Sequence, residues 1–289
     1  MKIGGHFPIS RGLLNSLVLL KEAGGNTLQI FSKNPGQWKS RIIDKTEASQ
    51  FVQRAGELEV SPIIIHDSYL INLATPDPIL RKKSIKSFIH EIERAQLLGA
   101  TYLVTHMGSH TGAGEEEGLK NIASALIESL EATSESNIIL LLETTAGQGT
   151  QLGYNFSQLG RVIDLCSWHS RLGVCLDTCH VFAAGYNLST AEGYRRTFDE
   201  FKKEIGLSRL NAIHLNDAQK PFNSRVDRHA HIGQGNIGLE GFSRIMNDPV
   251  LQDIPLILET PQPEKMHKKN IELLKSLIKG DKNDQTKTE

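Results

Sequence analysis

Six side chains able to bind metal ions or move protons, His66, His106, Glu143, Asp177, His214 and Glu259, recur at intervals of 34–45 residues. Each closes or nearly closes a short apolar run, as in PIIIH, TYLVTH, NIILLLE, RLGVCLD, LNAIHL and PLILE. A strand–helix unit needs about 30 or more residues, so this spacing carries each group one strand further along the same rim. Imidazoles and carboxylates gathered at one rim would leave several buried titratable groups without partners, which is costly unless a cation sits among them. Two shorter motifs extend the set. In DTCH, His180 follows Asp177 by three positions; in SRVDRHAHIGQGNIG (224–238), Asp227 and His229 are two apart, so an extended backbone points both the same way. Five imidazoles and four carboxylates without a thiolate suit zinc, with manganese or iron as alternatives for part of the sites, and do not suit a magnesium site built of oxygen. Zinc takes about four ligands, so nine residues sharing a bridging carboxylate predict two or three ions. Three Zn²⁺ would bring roughly +6 against the four carboxylates. The chain's formal net charge of −1 would then hide a positive centre able to attract an anionic phosphodiester.

Gathering these groups requires parallel strands, and the sequence has the pattern for them. Apolar, β-branched runs at 2–6, 27–32, 62–67, 101–106, 137–144, 171–177, 210–216 and 255–260 alternate with stretches of helical spacing. The latter fall at 10–24, 45–59, 78–98, 116–133, 156–166, 190–205, 239–247 and 264–278. Strict alternation predicts parallel pairing, and unbroken runs such as IIIH fit strands buried on both faces. Eight units in 289 residues predict one α/β domain, a single (β/α)8 TIM barrel over 1–280, with an open doubly wound sheet as the alternative. Active sites of such barrels lie at the C-terminal ends of the strands, where the six groups fall. The polar segment 281–289, DKNDQTKTE, is expected to be a disordered tail.

With 39% hydrophobic and 22% charged residues, disorder along the whole chain is excluded. No run approaches the roughly 18 apolar residues of a membrane span, so a soluble, cytoplasmic protein without a membrane partner is expected. Cys166, Cys175 and Cys179 lack paired metal-ligand spacing and read as small apolar core residues. No feature sets an oligomeric state, and a monomer is expected.

Together, HDSYLINL (66–73), HMGSH (106–110), ETTAGQG (143–149), DTCHVFAAGY (177–186), HLNDA (214–218), SRVDRHAHIGQGNIG (224–238) and PLILET (255–260) closely resemble the endonuclease IV family. Its members are zinc-dependent enzymes that repair abasic sites in DNA. The resemblance runs from the first predicted strand to the last. It implies three zinc sites: His66, His106 and Glu143; Asp177, His214, Glu259 and the bridging Glu143; and His180, Asp227 and His229. It also implies hydrolysis of the phosphodiester bond 5′ to an abasic site, leaving a 3′-hydroxyl and a 5′-deoxyribose phosphate, with trimming of blocked 3′ ends by the same attack. Glu143 and Glu259 would be the catalytic carboxylates, one bridging the ions and the other orienting the attacking water. His231 and His110 fall where the family pattern requires no ligand and are read as structural.

The partner implied is double-stranded DNA carrying abasic sites or blocked 3′ ends, with a nucleotide turned out of the duplex into the pocket. Tyr69 and Leu70, just past His66, are placed to fill the gap left by a missing base. The loop SKNPGQWKSR (32–41) offers Lys33, Gln37, Trp38, Lys39 and Arg41 for phosphate and groove contacts. Here the chain departs from the pattern: Gly36 stands where the family often has an inserting Arg, so Gln37 and Trp38 are expected to take part of that role. The first loop, GHFPISRG, also lacks the family's glycine-rich stretch, which leaves His6 a minor candidate. The basic clusters at 81–83, 195–196, 202–203 and 268–269 read as solvated helix faces. Two other readings stay open: a metal-dependent sugar isomerase, whose barrel also gathers Glu, Asp and His, and a damage-binding protein without turnover.

Overall fold

The computed structural model describes residues 1–279; the expected tail at 281–289 lies outside the described residues. Seven parallel strands come first: β1 (Ile3–His6), β2 (Thr27–Phe31), β3 (Ile63–His66), β4 (Tyr102–His106), β5 (Ile139–Glu143), β6 (Leu172–Asp177) and β7 (Leu210–His214). After β7 the chain makes an antiparallel ribbon of β8 (Asp217–Ala218) and β9 (His229–Ala230). The final strand, β10 (Leu256–Leu258), then pairs with β7 on one side and β1 on the other, closing the barrel and excluding the open sheet.

The outer helices α1 (Leu13–Glu22), α2 (Lys45–Glu57), α3 (Pro78–Leu97), α4 (Glu115–Ala132) and α5 (Phe156–Leu165) follow the first five strands. Several begin where the sequence has an acceptor. Asp44 takes the N–H groups of Thr46 and Glu47 at the start of α2, Asp77 those of Ile79 and Leu80 at α3, and Asn155 that of Gln158 at α5. Each such cap is worth about 1 kcal/mol. After β6 the one-helix-per-strand expectation fails: α6 (Thr178–Ala184) starts directly at the strand end, before α7 (Ala191–Glu204). Asp177 caps α6 through His180 N, and a left-handed Gly185 ends it. The last two helices are α8 (Gly238–Met246) and α9 (Pro263–Ser276). No described helix is long and apolar enough to cross a membrane.

The core has two compartments. A large one lies between strands and helices, while a small one of Ile64, Val104, Leu141, Cys175, Ala212 and Ile257 fills the barrel interior. Each interior residue precedes a predicted site residue by two: His66, His106, Glu143, Asp177, His214 or Glu259. Side chains two apart on a strand point the same way, so the apolar plug beneath aims the polar groups at one axis above it. All three cysteines are free and buried, as expected of core residues.

Candidate metal centre

Glu143, fully buried at the end of β5, stands at the centre. Its Oε2 lies 3.1 Å from His66 Nε2 and 2.9 Å from His106 Nε2, and its Oε1 lies 3.0 Å from His214 Nδ1 and 3.4 Å from His180 Nδ1. One carboxylate therefore faces two groups of histidines, one with each oxygen. His214 Nδ1 is also 3.1 Å from Glu259 Oε2. Beyond Glu143, His180 Nε2 is 3.1 Å from Asp227 Oδ2, and His229 Nε2 is 3.3 Å from Asp227 Oδ1 and 3.7 Å from Asp177 Oδ2.

Three sets have ligand atoms within 4.8 Å of one another: His66, His106 and Glu143; Glu143, Asp177, His214 and Glu259; and His180, Asp227 and His229. These are the sets the family resemblance implied. A fourth combination substitutes Cys179 for His180 and Asp177 for Asp227. Burial pushes the Cys179 thiol up to about 12, and its Sγ donates to Arg228 O at 3.5 Å, so it stays a core thiol.

The donor set fits cations on three further counts. Several imidazoles present one nitrogen to the centre while the other is held from behind: His66 Nδ1 at Asp67 O, His180 Nδ1 at Thr144 O, His229 Nδ1 at Glu259 O and His214 Nε2 at Gln29 Oε1. Such backing fixes ring orientation and tautomer in metal sites. His229 Nε2 is buried beside the Asp227 and Asp177 carboxylates without hydrogen-bond geometry to either. Among the described residues, no Lys or Arg pairs with any of the four carboxylates. Burial raises the Glu143 carboxyl, but the surrounding imidazoles, His106 first, outweigh it and hold the group well below the usual range. Burial lowers His180, and the Asp177 and Asp227 charges reverse that, leaving it well above an ordinary histidine. The carboxylates of this rim draw positive charge, and among the described residues imidazoles are the only side chains that face them with it.

Sequence reasoning missed the groups that hold the candidate ligands. Gln29, buried on β2, donates to Glu259 Oε1 at 2.6 Å while accepting from His214. Asn216 donates to Asp177 Oδ2 at 2.6 Å and accepts from Glu259 N at 2.8 Å. An amide inside the apolar run TLQIF was the one available signal for Gln29. His6, given little weight, also lies in the centre, with Nδ1 3.3 Å from Glu259 Oε1 and Nε2 buried without a partner. His231 instead meets Asn270, and His110 accepts from Gly112 N and Gly114 N, both structural as read.

The family model described as Xylose isomerase-like TIM barrel matches residues 17–277. A probable endonuclease 4 of Chloroflexus aurantiacus is 48% identical over 281 residues, covering 96% of this chain and 99% of the relative. The solved endonuclease IV of Thermus thermophilus superposes with a TM-score of 0.85 at 33% identity, covering 96% of this chain and 98% of that one. The chain belongs to the endonuclease IV family. An L-ribulose 3-epimerase, with a TM-score of 0.71 at 13% identity over 96% of this chain and 95% of that one, shares the fold alone.

For an endonuclease IV family member, the loops around the centre are partly as expected. The cavity lined by His66, His106, Glu143, His180 and Glu259, about 350 Å³, also has Tyr69 in its wall, 66% exposed and edge-on to Phe31 at 5.2 Å. Leu70 beside it is half-buried. In the loop after β2, Gln37 and Gly36 are exposed. Three of its neighbours are otherwise engaged, contrary to expectation. Lys33 is buried and paired with Glu91 at 3.2 Å, Arg41 forms a two-point pair with Glu47, and Trp38 is half-buried under Lys83 and packs on the core. These contacts anchor the loop; Gln37 and Lys39 are left facing outward.

Proposed function

We propose that this chain is a DNA-repair endonuclease that cuts the phosphodiester bond 5′ to abasic sites, using three divalent ions, zinc above all, held by the nine residues described. The observation that carries the reading is the split of Glu143, with one oxygen facing His66 and His106 and the other facing His214. A carboxylate shared in this way joins adjacent ion sites, which suits in-line displacement at phosphorus. When bound, the ions supply Lewis acidity that makes water a competent nucleophile near neutral pH and offsets phosphate charge.

The chain's own residues do the rest. Glu143 fixes the spacing of two sites. Glu259, gripped by Gln29 at one oxygen, turns the other toward His214 and the cavity, where it orients the attacking water and takes its proton. Asp227 and His229 complete the third site at the cavity mouth, where the leaving 3′ oxygen would depart. Tyr69 stands where an aromatic face can fill the gap left by a missing base, with Leu70 next to it and Gln37 exposed on the adjoining β2 loop. The products are a 3′-hydroxyl and a 5′-deoxyribose phosphate, and blocked 3′ ends are trimmed by the same attack.

The test is incubation of metal-stripped and zinc-restored protein with a duplex containing one tetrahydrofuran abasic analogue. Incision 5′ to the analogue that returns with zinc is expected, and no incision in either sample would defeat the assignment. Elemental analysis should find three ions per chain.

A further inference from the structure

The loops after β2 and β3 are tied to each other and to the start of α3. Ser68 Oγ donates to Pro35 O at 2.6 Å, Asn72 N donates to Ser84 Oγ at 3.1 Å, and Lys83 Nζ sits 4.2 Å from the centre of the Trp38 ring. Because α3 follows the C-terminal end of β3 and must run back to the start of the parallel β4, it begins near the rim that carries the metal centre and leads away from it. From Pro78 to His90 that helix has Arg81, Lys82, Lys83 and Lys86 and no acidic residue. Arg81 is half-buried and engaged with Asn121, but Lys82, Lys83 and Lys86 are exposed. Among the described residues, none of these three pairs with a carboxylate. Lys86 lies three and four positions beyond Lys83 and Lys82, so the three share a face about one turn long. Lys39, exposed on the β2 loop next to Trp38, continues the charge toward Gln37.

The basic clusters of α7 differ. In α7 the pairs Arg195–Arg196 and Lys202–Lys203 are interspersed with Glu192, Asp199, Glu200 and Glu204, which gives a mixed face. Unneutralised lysines held at fixed spacing beside a phosphodiester site are what a polyanion backbone recognises, since each phosphate neutralised releases condensed counterions.

We propose that Lys82, Lys83 and Lys86, with Lys39, form a docking surface for the phosphate backbone of one arm of the duplex flanking the lesion. The inference rests on the endonuclease reading for its substrate and adds a surface outside the metal pocket. Trp38 acts as the post that holds Lys83 against the β2 loop, so that the pocket and the ridge meet the duplex as one body.

The experiment measures equilibrium binding of the zinc-loaded protein to an undamaged duplex long enough to extend from the pocket across α3, over a range of salt concentrations. The slope of log K against log salt should be shallower by about 2–3 in the K82Q/K83Q/K86Q variant, roughly 0.9 for each phosphate no longer neutralised. The K202Q/K203Q variant, altered in the last turn of α7 at the opposite end of the barrel, should keep the parental slope. A parental slope in the triple variant, or an equal loss in the α7 control, would overturn the proposal. Incision of the abasic duplex by the unaltered protein is scored separately: failure there would strike the metal-centre reading, while the slope still decides the ridge.

Discussion

Two kinds of scaffold hold eight of the nine candidate ligands, and the ninth, His180, stands on the first turn of α6. Six stand at or one residue past barrel strands, where backbone pairing fixes them: His106 is in register with Glu143 and Asp177 with His214. Asp227 and His229 instead ride on the segment between β8 and α8, whose regular structure is only the two-residue strand β9. Exposure follows the scaffold only in part: the Glu143, Asp177 and His214 side chains are fully buried and that of Asp227 is 40% accessible, yet strand-borne His106 is 31% accessible against 17% for His229 on the arm. On the arm, one carboxylate gathers the turn that follows the ligands. Asp217, buried at β8, accepts the backbone N–H groups of Gly233 and Gly235 on one oxygen and of Ile237 and Ala218 on the other. Placement by the sheet rests on continuous strand pairing, whereas the arm is tied by the short β8–β9 ribbon, by backbone bonds such as Gln219 N to Arg228 O and Arg225 N to Ala183 O, and by Asp217, which gathers the residues just after the ligands.

The largest effect is expected on the strand side. Glu259→Gln should abolish incision while the melting transition by circular dichroism stays near that of the parent, because the barrel fixes the position whatever the side chain does. Near-normal turnover would reject the role given to Glu259. On the arm side, Asp217→Asn loses full carboxylate acceptance of four N–H groups, and disturbing such a support costs roughly 10–100-fold in metal affinity. Competition with a chelator should then strip one ion per chain at a concentration that leaves the other two. Simultaneous loss of all three would erase the distinction between the two scaffolds.

The same contrast explains what could be read from the sequence. Strand-borne ligands are legible because each terminates an apolar run two residues past an interior residue, and eight such runs at βα spacing define a barrel. The placement of Asp227 and His229 was drawn from local spacing and resemblance; their support by Asp217 was not visible, since HLND reads as any polar strand exit. Helix α6 was missed because TCHVFAA is only two turns long and starts on a ligand. Lys33 was misassigned for a physical reason: a lysine in a basic loop looks solvated until Glu91, 58 positions later on α3, is seen to turn inward beside it. Contacts between distant segments leave no local pattern.

Loops beyond the ligands should show smaller effects, on DNA rather than on metal. Tyr69→Ala removes the exposed aromatic face at the cavity mouth, and base–aromatic stacking is worth about 1–3 kcal/mol. Binding of an abasic duplex should weaken roughly tenfold with the three ions retained. Loss of zinc in this variant would place Tyr69 with the supports of the centre rather than with the substrate.

The smallest effect concerns Gly36. Its backbone N–H donates to Asn34 Oδ1 at 3.0 Å, and a Cβ added there would meet only that oxygen, at 3.5 Å, so a side chain fits without moving the loop. The loop beneath is already pinned by the Lys33–Glu91 pair and by Trp38. Gly36→Arg would thus present a guanidinium from a prepared support, on the loop adjoining that of Tyr69. Tighter binding of the abasic duplex by roughly 1 kcal/mol, about fivefold, is expected, with little change for undamaged duplex. A stacking contact at the lesion distinguishes the two substrates, whereas added positive charge alone strengthens both and steepens the salt dependence. Equal gains on damaged and intact DNA would therefore show that the position contributes charge only, and that the aromatic side of the rim carries the discrimination by itself.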